Sequence, residues 1–292
     1  MHCKIATMYR RALLLALLAI SLSAATDPDW SKPFQPFRIV GNIYWVGTWD
    51  LSSYLIVTPQ GDILINTGLA DSVAQILGNV QALGFKVSDI KIITATHAHY
   101  DHVAGLAEIK RLTGAKLVME EEDVPVMESG GKKDFVFGNN PNMRFKPAHV
   151  DEALKDGGKI ALGGTEITLH HHPGHTKGAS SFTLTVRDTG HDLRVGIINL
   201  GSINPGVKVS GMPTYPKIAQ DYARTFHDQK EMQIDVFLAS HASQFRLHEK
   251  YKPGDWYQPA RFVDPQGFHD AVEKLEKAYT DQLARERAGQ SK

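Results

Sequence analysis

From Phe37 onward, the spacing of apolar and polar positions divides the chain into short strands and amphipathic helices. Runs rich in β-branched and aromatic residues predict strands at Phe37 to Val40, Ile43 to Val46, Ser53 to Val57 and Asp62 to Ile65. Gly41-Asn42, Thr48 to Leu51 and Pro59-Gln60-Gly61 separate them as turns. Ser72 to Leu83 reads as a helix closed by Gly84, and Lys91 to Thr94 returns to strand. Val103, Leu106, Ile109 and Leu112 then recur at helical spacing, with Thr113-Gly114 as the stop. Lys116 to Met119 predicts a further strand, followed by the acidic run Glu120 to Asp123 and a short helix. Residues 129 to 150 have no period; their glycine pairs and Phe135, Phe137 and Phe145 fit either a mobile cover or a surface loop with its own small core.

The second half repeats the order. Strands are predicted at Lys159 to Leu162, Glu166 to His170, Ser180 to Val186 and Leu193 to Ile198. A helix at Tyr215 to Met232, a buried strand at Ile234 to Ala239 and a closing helix at Pro265 to Ala288 follow. Each half runs strands first and helices after, and each carries a histidine-bearing element. The pattern predicts a layered α/β fold of two similar halves packed sheet on sheet, although no short repeat is visible.

Composition narrows the functional classes. A chain of 292 residues with 42% hydrophobic and 22% charged residues has the make-up of a globular protein with a large core. Lys4, Arg10 and Arg11, the apolar stretch Ala12 to Ile20 and the small residues Ser23-Ala24-Ala25 have the form of a secretory signal. Its apolar core is about half the roughly 20 residues of a membrane span. The expected organisation is therefore a signal peptide at 1–25 and one domain at 26–292, exported to a periplasm without stable membrane association. The single cysteine, Cys3, lies in that signal, so the mature domain has no disulfide, thiolate nucleophile or sulfur metal ligand. Without Lys4, Arg10 and Arg11, 29 basic residues face 32 acidic ones, which gives no basis for nucleic-acid binding.

The chemistry concentrates at His97-Ala98-His99-Tyr100-Asp101-His102, directly after the apolar strand. In extended backbone, residues two apart point the same way, so His97, His99 and Asp101 can converge while His102 opens the next element. Imidazole and carboxylate donors suit zinc, and a hydrolytic site leaves one coordination position to water. In His170-His171-His172-Pro173-Gly174-His175, the first three histidines alternate on a strand and read as sheet-face residues; His175, lifted by the Pro-Gly turn, is the better ligand candidate. His241 follows the apolar strand Val236 to Ala239 and gains weight from the other two clusters.

The pattern T-H-A-H-Y-D-H, then P-G-H-T at Pro173 to Thr176, then S-H at Ser240-His241, resembles the metallo-β-lactamase superfamily over nearly all of the mature chain. That family's fold is an αβ/βα sandwich with a dinuclear zinc site at one edge between the halves. Glyoxalase II and the lactonases resemble the first motif but carry an aspartate after the strand that follows P-G-H-T. Here Ser202 stands at that place, as in subclass B3, while the cysteine ligand of subclass B1 is missing. Val46-Gly47-Thr48-Trp49-Asp50 and Asp221 to Phe226 are also similar to B3 members.

The resemblance implies two zinc ions per chain, one on His97, His99 and His175 and the other on Asp101, His102 and His241. It implies a metal-bound hydroxide that opens the β-lactam ring of penicillins, cephalosporins and carbapenems, hence antibiotic resistance, with Asp101 orienting the nucleophile. Ser202 and Asn204 are expected on the substrate carboxylate, and Trp49, Leu51, Phe135 and Phe137 on the cleft wall. Two readings compete with it: zinc-dependent lactone or thioester hydrolysis, and a periplasmic metal-binding protein without turnover. The chain departs from the family in having Asn66 where the L-I-D-T-G turn carries aspartate, in lacking a disulfide that several B3 enzymes have, and in Asn204, which replaces a small hydroxyl residue of some members.

Overall fold

A computed structural model describes residues 27–290; the signal-like segment lies outside the described residues. Side-chain alternation explains the first layers. In β3 (Tyr54–Thr58), Tyr54 and Ile56 face one core while Leu55 faces another; in β4 (Gly61–Ile65), Ile63 and Ile65 part from Leu64 in the same way. Strands buried on both faces need cover on both sides, and the chain supplies it. With β1 (Phe37–Val40) and β2 (Ile43–Trp45), these strands form an antiparallel meander.

The chain then crosses over through α1 (Val73–Ala82) and adds β5 (Ile90–Thr94), β6 (Lys116–Glu120) and β7 (Glu152–Leu154) in parallel. The sheet order is β1-β2-β3-β4-β5-β6-β7. Between β5 and β7 lie α2 (Tyr100–Val103), α3 (Leu106–Thr113) and α4 (Val124–Glu128). Ile76 and Val80 of α1 and Leu106 and Ile109 of α3 pack on Leu55, Leu64, Ile93 and Leu117.

The second sheet has five strands: β8 (Lys159–Leu162), β9 (Thr165–His171), β10 (Ser180–Asp188), β11 (His191–Ile198) and β12 (Val236–Ala239). Its order is β12-β11-β10-β9-β8, antiparallel except that β12 runs parallel to β11 after the crossover helix α5 (Ile218–Glu231). Next come α6 (Leu247–Lys250) and α7 (Pro265–Gln290). Ile39, Trp45, Tyr54 and Ile56 of the first sheet share a core with Ile167, Leu169, Phe182 and Ile197 of the second, continuing to Phe226 of α5 and Phe268 of α7. The architecture is the αβ/βα sandwich that the family resemblance implied, and it fits the layered α/β fold of two halves read from the apolar pattern.

Three differences from the sequence reading have local causes. The helix predicted through 103–112 is divided at Gly105, where a Cβ would lie 2.5 Å from the Thr67 carbonyl oxygen, so only glycine permits the close approach. The helix expected from Tyr215 begins at Ile218, because Met212 and Tyr215 pair in a turn and Pro216 follows. Strand β7, with only three residues and a glutamate at its start, gave no apolar signal.

Candidate metal centre

Strand β5 delivers the first cluster. Beyond Thr94 the backbone bends at Thr96-His97, is extended again at His99 (φ −82°, ψ 151°) and then turns into α2. His97 and His99 converge as the sequence reading expects, across that bend rather than on a straight strand, but Asp101 comes inward on a helical turn together with His102. All four side chains are buried. His175 reaches them from the turn after β9. There Gly174 adopts φ +134°, and a Cβ would meet the Tyr222 ring at 2.8 Å. His241 follows β12, whose neighbour Leu51 forms an antiparallel bridge with it.

The His175 ring lies 4.6 Å from that of His97 and 4.8 Å from that of His99, and His99 Nδ1 is 3.1 Å from His175 Nε2. The His241 ring lies 5.0 Å from that of His102, and its Nε2 is 3.5 Å from Asp101 Oδ2. Donor atoms of His97, His99 and His175 all lie within 4.8 Å of one another, as do those of His97, Asp101 and His102. Two donor groups sharing His97, with His241 beside the second, thus adjoin at the strand ends. His170, His171 and His172 take no part in either group, as their alternation suggested; His172 is buried and hydrogen-bonds Ser181 Oγ at 2.7 Å.

Three of the outer ring nitrogens are held. His175 Nδ1 is 2.8 Å from the Ser202 carbonyl, which also accepts from the Tyr222 hydroxyl at 2.9 Å. His241 Nδ1 is 2.9 Å from Asp50 Oδ2, and His97 Nδ1 is 3.3 Å from Thr96 Oγ1. With a proton on each of these Nδ1 atoms, the Nε2 lone pairs face the cluster. Thr96 is a junction. Its amide and hydroxyl both donate to Asn66 Oδ1, at 2.9 and 3.2 Å, and it accepts from Ser240 Oγ at 3.0 Å. Asn66 thus reaches a candidate ligand only through Thr96.

Electrostatics leave His97, His175 and Asp101 open as donors but favour a proton on His99 and His241, which a bound cation would have to displace. Burial, then the neighbouring imidazoles, hold His97 well below its usual 6.5. Burial and His99 lower His175 to about 3. Burial would raise Asp101, but His102 and His241 outweigh it and keep the carboxylate well below its ordinary range. His241 is raised to about 9, since Asp101 and Asp50 overcome the opposing burial. The Nε2 atoms of His97 and His102 are buried without a hydrogen-bond partner. Each such orphan costs about 1–3 kcal/mol, so several aimed at one space fit a divalent cation; an all-nitrogen-and-oxygen donor set suits zinc.

Comparison with solved structures identifies the lineage. The class B3 di-zinc metallo-β-lactamase LRA-12 from an Alaskan soil metagenome is 48% identical, with 89% of this chain and 98% of that one aligned at a TM-score of 0.86. This chain belongs to the metallo-β-lactamase superfamily. The superfamily's profile matches residues 46–189. The metallo-β-lactamase GOB-18 of Elizabethkingia meningoseptica is 46% identical over 89% of this chain and 96% of its own, at a TM-score of 0.87. A "Probable metallo-hydrolase" of Burkholderia pseudomallei is 29% identical over 123 residues, 42% of this chain and 40% of that protein. The match covers less than half the length of these first curated relatives, which include hydroxyacylglutathione hydrolases.

The residues expected to face a substrate are placed unevenly around this superfamily site. Ser202 Oγ lies 3.2 Å from His175 Nδ1, and Asn204 Nδ2 is buried without a partner. The Phe137 ring is 5.1 Å from His99. Phe135 instead packs on Tyr215 at 4.9 Å, Trp49 stacks on His248 at 3.9 Å, and Leu51 is a buried core residue. The sequence reading missed Asp50, Thr96 and Asp134, which touch the clustered imidazoles.

Proposed function

We propose that this chain is an exported subclass B3 β-lactamase, holding about two zinc ions. The observation that carries the proposal is the pair of adjoining, inward-facing donor groups at the strand ends, in a chain matched along nearly its whole length by class B3 enzymes. His97, His99 and His175 would hold one ion and Asp101, His102 and His241 the other. Bound there, zinc supplies Lewis-acid polarisation of a carbonyl and lowers the pKa of water toward about 7.

The chain's own groups do the rest. Asp101, ionised between His102 and His241, accepts a hydrogen bond from the attacking water and directs it at the β-lactam carbonyl carbon. The Ser202 hydroxyl and Asn204 amide donate to the substrate carboxylate, and Phe137 covers the His99 side. Water adds to the carbonyl, the ring C–N bond breaks, and the nitrogen leaves with a proton. Incubating the zinc-loaded protein with a penicillin, a cephalosporin and a carbapenem tests this: ring opening is expected, and intact antibiotics would contradict it. Partial likeness to hydroxyacylglutathione hydrolases supports a thioester reading, and faster cleavage of a glutathione thioester in the same panel would favour it. Export rests on the N-terminal segment. Among the described residues no helix is long and apolar enough to cross a membrane.

A further inference from the structure

His99 differs from the other clustered imidazoles in which nitrogen faces inward and in what holds the outer one. Its Nδ1 lies 3.1 Å from His175 Nε2, so its Nε2 points out of the cluster. There it meets Asp134 Oδ2 at 3.2 Å, a carboxylate carried by the aperiodic segment 129–150 and not by a strand end. Asp134 is only 8% exposed. Its two oxygens divide their work. Oδ1 accepts the amide protons of Val136 and Phe137, at 2.8 and 2.6 Å, which fixes the loop's tip. Neither Oδ2 nor His99 Nε2 has another partner among the described residues, and their 3.2 Å contact is an ion-pair approach rather than an aligned hydrogen bond. The tip is tied down further by the Phe135 ring on Tyr215 and by the Thr214 hydroxyl donating to the Phe135 carbonyl at 3.4 Å.

We infer that Asp134 is a positioning residue for the metal centre: it holds the Nε2 proton of His99 and so presents the Nδ1 lone pair to His97 and His175. A neutral imidazole carries one N–H, and the partner of the outer nitrogen decides where it sits. An acceptor-only carboxylate oxygen at Nε2 draws the proton there. Without it, the proton can occupy Nδ1 and block ligation. The loop then belongs to the apparatus that holds the ion, in addition to covering it through Phe137. This inference rests on the zinc reading above.

Asp134→Asn separates the two functions of the carboxylate. The amide oxygen can still cap Val136 and Phe137, but its NH2 replaces the acceptor at Nε2; reversing the amide would oppose two backbone donors. Zinc affinity is measured by competition with a chromophoric chelator, and the cobalt(II)-substituted protein is followed by visible absorption. The expected result is a zinc dissociation constant raised by about 10- to 100-fold, an altered cobalt spectrum and an unchanged melting temperature of the metal-free form. Phe137→Ala, which keeps the acceptor, should bind zinc within about twofold of wild type. Equal affinity and spectra in wild type and Asp134→Asn would overturn the inference, and so would an equal loss in Phe137→Ala. Nitrogen-15 shifts of the zinc-loaded wild type give a test without any variant: His99 is expected protonated on Nε2, and a proton on Nδ1 would refute the role. A wild type that binds no zinc would instead remove the functional reading on which the inference stands.

Discussion

At the scale of single residues, what a side chain does around this centre depends on which of its atoms is engaged. Ser202 supports His175 mainly through its backbone carbonyl at 2.8 Å, which a substitution retains; its hydroxyl oxygen lies farther from the same Nδ1, at 3.2 Å, and keeps its own proton to donate to a ligand. Ser202→Ala should therefore raise KM severalfold and leave kcat nearly unchanged, as steady-state kinetics on a carbapenem can show; an equal fall in kcat would mean the hydroxyl serves the chemistry itself. Thr96 acts through its hydroxyl, which accepts from His97 and donates to Asn66. Thr96→Val should weaken zinc binding by about tenfold in chelator competition, and an unchanged affinity would make the contact incidental. The same hydroxyl explains how asparagine serves at position 66, since the contact needs only an acceptor oxygen. The histidines were legible because three imidazoles in six positions have no packing purpose. Asp50 and Asp134 were not, because an aspartate in a turn looks like any other until strand pairing brings a histidine to it; Asp50 and His241 are 191 positions apart.

At the scale of elements, the apolar periods located every strand long enough to alternate, and their ends marked the site. They did not reveal what the covering segment at 129–150 does, since its order comes from hydrogen bonds to its own backbone and from Phe135 and Phe145 entering separate cores. The histidine run on β9 shows a further limit. His172, one residue past β9, shares the face of His170 rather than that of the core residues Ile167 and Leu169, and is buried there against Ser181, with α5 supplying Gln229 at 3.3 Å. Burial, then His170, lowers its pKa from 6.5 to about 3. A depressed folded-state value means the unfolded chain takes the proton first. The associated stability is complete above pH 6.5 and is lost as pH falls toward 3. Between pH 7 and pH 5 this amounts to about 2 kcal/mol, so His172→Gln should show a shallower loss over that interval in urea unfolding of the metal-free protein. Parallel losses in both proteins would show that His172 is not what acid attacks.

At the scale of the whole molecule, the two halves meet where their strands end, and the centre exists only because they do. The Ser180 amide donates to the Thr96 carbonyl at 2.7 Å and the buried Tyr54 hydroxyl to the Ala239 carbonyl at 2.6 Å, fastening one sheet to the other beside the imidazoles. His97, His99, Asp101 and His102 come from the first half; His175 and His241 come from the second. Sequence order alone names six candidate donors, and only the sandwich brings His97, His99, His175, Asp101 and His102 into two adjoining groups with His241 beside Asp101. The most direct test is to titrate the metal-free protein with zinc while following the hydrolysis of a carbapenem. The rate should rise from near zero and level off by about two equivalents per chain. Hydrolysis that proceeds without zinc, or none at any ratio once zinc is bound, would contradict it.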